Sequence, residues 1–580
     1  MATIERSGYP FPDRERDTWS SLDGMWTFET DDRDVGLQKE YGEKGVPSST
    51  QILVPFAPQS QRSGINDASY HPILWYERRF AAPKTSQHVF LCFAAVDWHA
   101  DVWVNGRYIG SHDGGYTPFS FDITLWLQDD NRLTVRVFDS NDTAQPRGKQ
   151  YWGEHGDRCW YIPSSGIWQT VWLESRPQIF IEGVATQTDV DHELVETTVL
   201  ASSELDGTYE VHANVFWNGQ QLLHTAVTAQ GRENRFVFPL KPLDAIDPVH
   251  FWSPETPNLF DMEVLLVKEG IVCDKIRTYF GMRKISVEQG RVLLNNRPLY
   301  QKLILDQGYW PEGLLTVDDD EAIKRDILLV KQMGFNGVRM HQKIECSRFL
   351  YWADKLGLLV WEELPSAYQF STTMKQDMFD LLQETIKRDK NHPSIICWVL
   401  LNESWGVRDI YANEAQQRFA VALYHMAKSL DPTRLVDSND GWDNVTSDLC
   451  TIHDYAKNGN GWKETSHLVQ GSLQGRSRYA KGYAYGGQPV LITEFGGIAL
   501  TKDLHDGNWG YEKGEPNVLS FTERFSQLLQ SITSNPDIQG FCYTQLTDVM
   551  QEVNGLLDEQ RNPKIPVEEI RRLLQGNNEL

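Results

Sequence analysis

Two glutamates carry the first sign of chemistry. Glu403 follows the apolar run WVLLN and Glu494 follows VLIT, and each is trailed by aromatic or glycine residues. Hydrolysis of a glycosidic bond needs a pair of carboxylates facing each other across a pocket. One protonates the departing oxygen; the other attacks the anomeric carbon or activates a water, and a separation of about 5–5.5 Å selects retention. The plainer alternative for a single strand-end glutamate is a helix cap or a lysine partner. Two of them in matched settings favour the catalytic reading.

Such a pair needs a frame that holds it. From about residue 285, short apolar strands alternate with amphipathic helices, as in RPLYQKLIL followed by EAIKRDILLVKQM, where Ile323, Ile327 and Val330 fall at helical spacing. Eight strands interleaved with helices in about 290 residues is the size and order of a (β/α)8 TIM barrel, whose active site lies at the C-terminal strand ends. Those ends carry Asp306 (first strand), Arg339, His341 and Lys343 (second), Glu362 and Glu363 (third) and Asn402, Glu403 and Trp405 (fourth). His453, Asp454 and Tyr455 follow the sixth, Glu494 the seventh, and Tyr543 and Gln545 lie on the eighth. Strands four and seven stand nearly opposite in an eight-strand ring, so Glu403 and Glu494 can face each other.

The preceding chain reads as β throughout. Runs such as HVFLCFAAV, ADVWVNG and NRLTVRVFD are rich in β-branched and aromatic residues and separated by turn formers. The expected architecture is multidomain: a jelly-roll β-sandwich over residues 1–180, an immunoglobulin-like β-sandwich over 181–285 and the barrel over 286–580. Trp152, His155 and Trp160 fall in a loop-like segment of the first domain, for which the barrel mouth and the open surface both stay open as placements.

Composition bounds the partners. A chain of 580 residues with a net charge of −25 repels nucleic acid and anionic membranes. The 20 Trp and 22 Tyr suit either sugar stacking or β-sheet packing. Seven cysteines without a C-x-x-C pair read as free thiols, and no apolar leader or membrane span is visible, so a cytoplasmic protein is expected. No metal is expected, because the histidines are isolated, and no cofactor.

LLNESWG and LITEFGG are similar to the acid/base and nucleophile motifs of glycoside hydrolase family 2. GFNGVRMH, ADKLGLLVWEE, SLDGMW, GIWQTVWLE and FGMRKI resemble further segments of that family, nearly to the end of the chain. The resemblance implies a retaining exo-glycosidase with a sugar-binding jelly roll, a glycoside or oligosaccharide substrate, Glu403 as general acid/base and Glu494 as nucleophile. It further implies that Asn402 bonds the sugar 2-hydroxyl, that Tyr455 orients Glu494 and that Arg339 keeps Glu494 ionised. Trp405 and Tyr543 become expected pocket walls, with His341 and Asp306 beside the non-reducing sugar. It also admits a homo-oligomer.

The chain departs from the family where the glycon is read. QKLILDQGYWPEG stands where many members have a Gly-x-Asn-x-His-Glu type segment, and Met340–Lys343 replaces a Ser-His-Tyr-Pro type run. Asn562-Pro563-Lys564 looks like the Asn-x-Lys motif of the family's glucuronidases, yet the better match is Glu552-Val553-Asn554, whose glutamate repels a carboxylate. A β-galactosidase is the leading expectation. β-Galactofuranosidase or α-L-arabinofuranosidase, and then β-glucuronidase, are the enzymatic alternatives; Lys343 is the residue that could serve an acidic sugar. From other classes come a non-catalytic carbohydrate-binding protein and a scaffold protein using the β-domains.

Overall fold

A computed structural model describes residues 8–575, apart from residues 154, 241–249, 465–468, 470, 471, 474, 475, 506 and 512. The first unit packs a four-stranded on a six-stranded antiparallel sheet. Alternation along the strands turns Trp26, Phe28, Leu91, Val102 and Val135 into the space between the sheets. A five-stranded antiparallel sheet follows, from Ile181–Asp189 to Ile271–Phe280, with its own apolar core.

The third unit is the barrel. Its strands are β1 (Gln301–Asp306), β2 (Gly337–Met340), β3 (Leu359–Glu363), β4 (Ile395–Val399), β5 (Leu435–Asp437), β6 (Cys450–His453), β7 (Val490–Gly496) and β8 (Ile538–Thr544). Parallel pairing runs from β5 back through β1 and on through β8 and β7 to β6. The outer helices are α1 (Asp320–Met333), α2 (Ser347–Leu356), α3 (Thr372–Asp389), α4 (Glu414–Leu430), α5 (Val518–Thr533) and α6 (Val567–Gln575). α1 shows how the sequence sets these bounds. The Asp319 side chain caps its start by accepting from Ala322 N–H, and Gly334 at φ 99° ends it; Ile323, Ile327 and Val330 are buried. No described helix is long and apolar enough to cross a membrane.

A loop of the first unit is stitched to the barrel mouth. Arg147 and Gly148 N–H groups donate to the Ser366 carbonyl at 3.1 and 3.0 Å. The Tyr368 hydroxyl donates to the Gly148 carbonyl. Gly148 has φ 59°, and a Cβ there would lie 2.2 Å from the Gln342 carbonyl oxygen, so glycine is what lets the loop come this close. All seven cysteines are free thiols.

Candidate active site

Arg339, wholly buried at the end of β2, organises the floor of the barrel mouth. Its Nε donates to Glu363 at 2.9 Å, one Nη donates to Asn402 Oδ1 at 2.8 Å, and the other meets Asp440 at 2.7 Å and Glu494 at 2.9 Å. A planar guanidinium can serve several acceptors in fixed directions, which a lysine could not. The Tyr455 hydroxyl donates to the second Glu494 oxygen at 2.6 Å. The Tyr455 ring stacks on Tyr511 with centroids 3.7 Å apart.

Glu403 leaves β4 on a strained turn. Glu403 and Ser404 have φ of 49° and 56°, a left-handed conformation that costs non-glycine residues roughly 1–3 kcal/mol each. The Glu403 N–H donates to the Asp440 carbonyl at 3.0 Å and the Ser404 N–H to Asn439 Oδ1 at 2.9 Å, which pins the turn. The carboxylate points towards Glu494: one oxygen of each and an imidazole nitrogen of His453 all lie within 4.8 Å of one another. His453 Nδ1 is 2.9 Å from Glu403 and 3.4 Å from Glu494, and its Nε2 is 3.4 Å from Asp440.

This arrangement sets the charges. Burial disfavours a charged His453, but Glu494, Asp440 and Glu403 outweigh it and raise its pKa to about 10. Burial likewise opposes ionisation of Glu403, yet the His453 contact and the Lys149 and Arg339 charges hold its pKa below the ordinary value. Burial pushes Glu363 up to about 7 despite Arg339. Perturbed groups gathered in one cleft are the electrostatic signature of a working site. Glu403, His453 and Glu494 are also close enough to share a cation, and His453 hydrogen-bonds Glu403 while standing at ion-pair distance from Glu494.

The expected residues divide. Arg339, Asn402, Glu403, Tyr455 and Glu494 converge, and His341 adjoins them through its Nδ1, 3.0 Å from Glu363. Trp405 stands at the rim, 5.1 Å from Trp160 and 5.2 Å from Tyr368, with Arg408 over its face. Trp152 packs 4.5 Å from Tyr368, so the first unit's loop does reach the mouth, while His155 is exposed. Asp306 turns back on its own loop and accepts from Gly308 N–H at 2.9 Å. Tyr543 is a correction: its ring packs against Phe495 on β7 and Phe525 on α5, on the helix side of the strand, so it does not wall the pocket. Lys343 is another, since its ammonium is consumed by Glu345 and by the Gly308 and Leu315 carbonyls. Lys564 is held by Asp548 at 2.7 Å and Asn562 by Asp558 at 3.0 Å, so that pair is engaged within its own segment.

Sequence reasoning missed Asp440, Lys149 and the bridging role of His453. Asp440 stands just past β5, where strand-end logic could have found it. Glu552 is buried, accepting from Tyr161 OH and from Asn554 Nδ2.

Comparison with known proteins agrees with this architecture. The family model for the glycosyl hydrolases family 2 TIM barrel domain matches residues 285–577. The models for that family's sugar binding domain and for glycosyl hydrolases family 2 match residues 19–177 and 179–283. A β-glucuronidase of Rattus norvegicus is 24% identical over 547 residues, 84% of this chain and 78% of the relative. A β-galactosidase of Lactococcus lactis is 27% identical over 475 residues, 75% of this chain but 44% of that longer protein. The crystal structure of Ruminococcus gnavus β-glucuronidase shares the fold with a TM-score of 0.79 at 19% identity, covering 99% of this chain and 100% of that one.

Proposed function

Since the chain belongs to glycoside hydrolase family 2 and is a glycosidase that hydrolyses O-glycosyl bonds, we propose that it removes a terminal neutral sugar by double displacement with retention. Glu494 attacks the anomeric carbon while Glu403 protonates the departing oxygen. Glu403 then takes a proton from the water that releases the sugar from Glu494. The approach of Glu403 and Glu494 oxygens to within 4.8 Å carries this reading, because an inverting pair must leave room for a water between them.

The neighbours have matching tasks. Arg339 and Tyr455 bind the two Glu494 oxygens, which holds the nucleophile in place and aims it. Arg339 also fixes the Asn402 amide by its oxygen, which leaves the Asn402 N–H groups for a sugar hydroxyl. For the glycon, a β-galactoside is the first choice, with β-galactofuranoside or α-L-arabinofuranoside next. β-Glucuronidase names occur among the similar proteins. Lys343 and Lys564 are both engaged by protein groups and so are not free to hold a glycon carboxylate, which supports a neutral sugar. Nitrophenol release from aryl galactopyranoside, galactofuranoside, arabinofuranoside, mannoside and glucuronide tests this. The reading expects turnover of a neutral glycoside that Glu494→Ala abolishes; turnover of the glucuronide alone would overturn the neutral glycon.

A further inference from the structure

The turn that carries Glu403 joins backbone strain to an aromatic cluster from another unit. The Trp405 N–H donates to the Asn402 carbonyl at 2.9 Å, which closes a four-residue turn around Glu403 and Ser404, both left-handed at φ 49° and 56°. Neither is a residue type that visits this region routinely. Such a conformation persists only where the surroundings over-determine it. On one side the loop after β5 does so, through the Asp440 carbonyl and the Asn439 and Asp443 side chains. On the other side the turn ends in the Trp405 ring.

Three groups hold that ring. Trp160 of the first unit meets it in a T-shaped contact, with centroids 5.1 Å apart and planes at 86°. Tyr368, just past β3, stands 5.2 Å away at 66°. The Arg408 guanidinium lies 3.3 Å from the ring centroid. T-shaped ring pairs and cations over indole faces are directional contacts, so they fix the tilt of a ring as well as its place.

Trp160 is itself immobilised. Its Nε1 donates to the Tyr368 hydroxyl at 2.7 Å, its N–H donates to the Asp157 carbonyl at 3.0 Å, and its carbonyl accepts from Gln551 Nε2 at 2.8 Å. The Tyr368 hydroxyl donates onward to the Gly148 carbonyl. A continuous chain of hydrogen bonds and ring contacts therefore runs from the first unit to the residue two places after Glu403.

We propose that Trp160 positions the general acid: through Trp405 it holds the Glu403 turn in the orientation from which the carboxyl reaches the departing oxygen. This rests on the glycosidase reading given above. Trp160 acts through another side chain and is a positioning residue, and it makes the first unit part of the acid-catalytic apparatus.

The test uses Trp160→Ala, Trp160→Phe and Trp405→Leu in the full chain, each checked for folding by circular dichroism. Trp160→Leu, which keeps apolar bulk, replaces Trp160→Ala if that variant does not fold. Trp160→Ala should lower kcat/KM for the methyl glycoside of the preferred glycon roughly ten- to a hundredfold, because misplacing a catalytic group by about 1 Å can cost about 10²-fold. Pre-steady-state nitrophenol release from the aryl glycoside, whose leaving group needs no protonation, should change far less. Trp160→Phe keeps an aromatic edge against Trp405 and should recover most of the loss. Trp405→Leu should show the same split, and adding Trp160→Ala to it should cost little more. Equal losses on both substrates, or a change confined to KM, would overturn the proposal. Equal losses in Glu403→Gln would defeat the acid reading instead. Hydrogen exchange over residues 400–407 decides on Trp160 without any turnover: Trp160→Ala should speed exchange at the amides of the turn and Trp160→Phe should not. Exchange in Trp160→Ala as slow as in the wild type would overturn the proposal.

Discussion

The Nδ1 atom of His453 stands 2.9 Å from a carboxylate oxygen of Glu403. The imidazole is held charged by Glu494 and Asp440 as well as by Glu403, so the resting pair is an imidazolium beside a carboxylate. In the proposed mechanism Glu403 must carry a proton when the glycosidic bond breaks. That proton waits one hydrogen bond away, on His453.

This relationship has a measurable pH signature. His453 has a folded pKa of about 10, against about 6.5 for a free imidazole. A raised pKa contributes stability that is fully present below the unfolded value and lost as pH rises through the folded one. The Tm gap between wild type and His453→Asn should therefore be largest below about pH 6.5 and shrink as pH climbs towards 10. Thermal melts across that range check it; a gap that widens with pH would contradict the assignment.

Glu403→Gln should separate acid catalysis from nucleophilic attack. On an alkyl glycoside kcat/KM should fall about 10²–10⁴-fold, the usual worth of a placed general acid. An aryl glycoside with an acidic leaving group needs no protonation, so its first step should suffer far less. Pre-steady-state release of nitrophenol reads that step. Equal losses on both substrates would remove Glu403 from the acid role.

Tyr455→Phe deletes one hydrogen bond to the nucleophile and leaves the ring on Tyr511. A hydrogen bond to a charged group is worth about 1.5–3 kcal/mol. The expected loss in kcat is roughly ten- to a hundredfold, with little change in Tm. A variant with full kcat would show that Arg339 alone suffices to orient Glu494.

Arg339→Met strips the common partner from Glu363, Asp440 and Glu494. Breaking a buried ion pair by removing one member costs about 3–5 kcal/mol, because the remaining charges stay buried. Denaturant melts should show a destabilisation of that order, and activity should be lost. Native stability in Arg339→Met would mean that the carboxylates take up protons at little cost.

The barrel was legible because its two periodicities alternate cleanly, and strand-end logic then gathered Arg339, Asn402, Glu403, Tyr455 and Glu494 without any coordinates. The same logic failed at Tyr543, because successive residues of a strand face opposite sides and a one-residue offset exchanges lumen for helix layer. His453 was visible as a strand-end residue, but its bridge between two carboxylates exists only in space. Tyr161 and Glu552 are hydrogen-bonded across 391 residues of sequence, from different units, and no local pattern announces that loops this distant meet. The glycon-reading positions are loop-borne, which is why the sequence spoke of the reaction more clearly than of the sugar.

The central claim is that Glu403 and Glu494 act by double displacement. Proton NMR of the first-formed sugar, recorded before mutarotation on the best substrate of the panel, tests it most directly. The account predicts a product with the anomeric configuration of the substrate; the opposite anomer appearing first would contradict it.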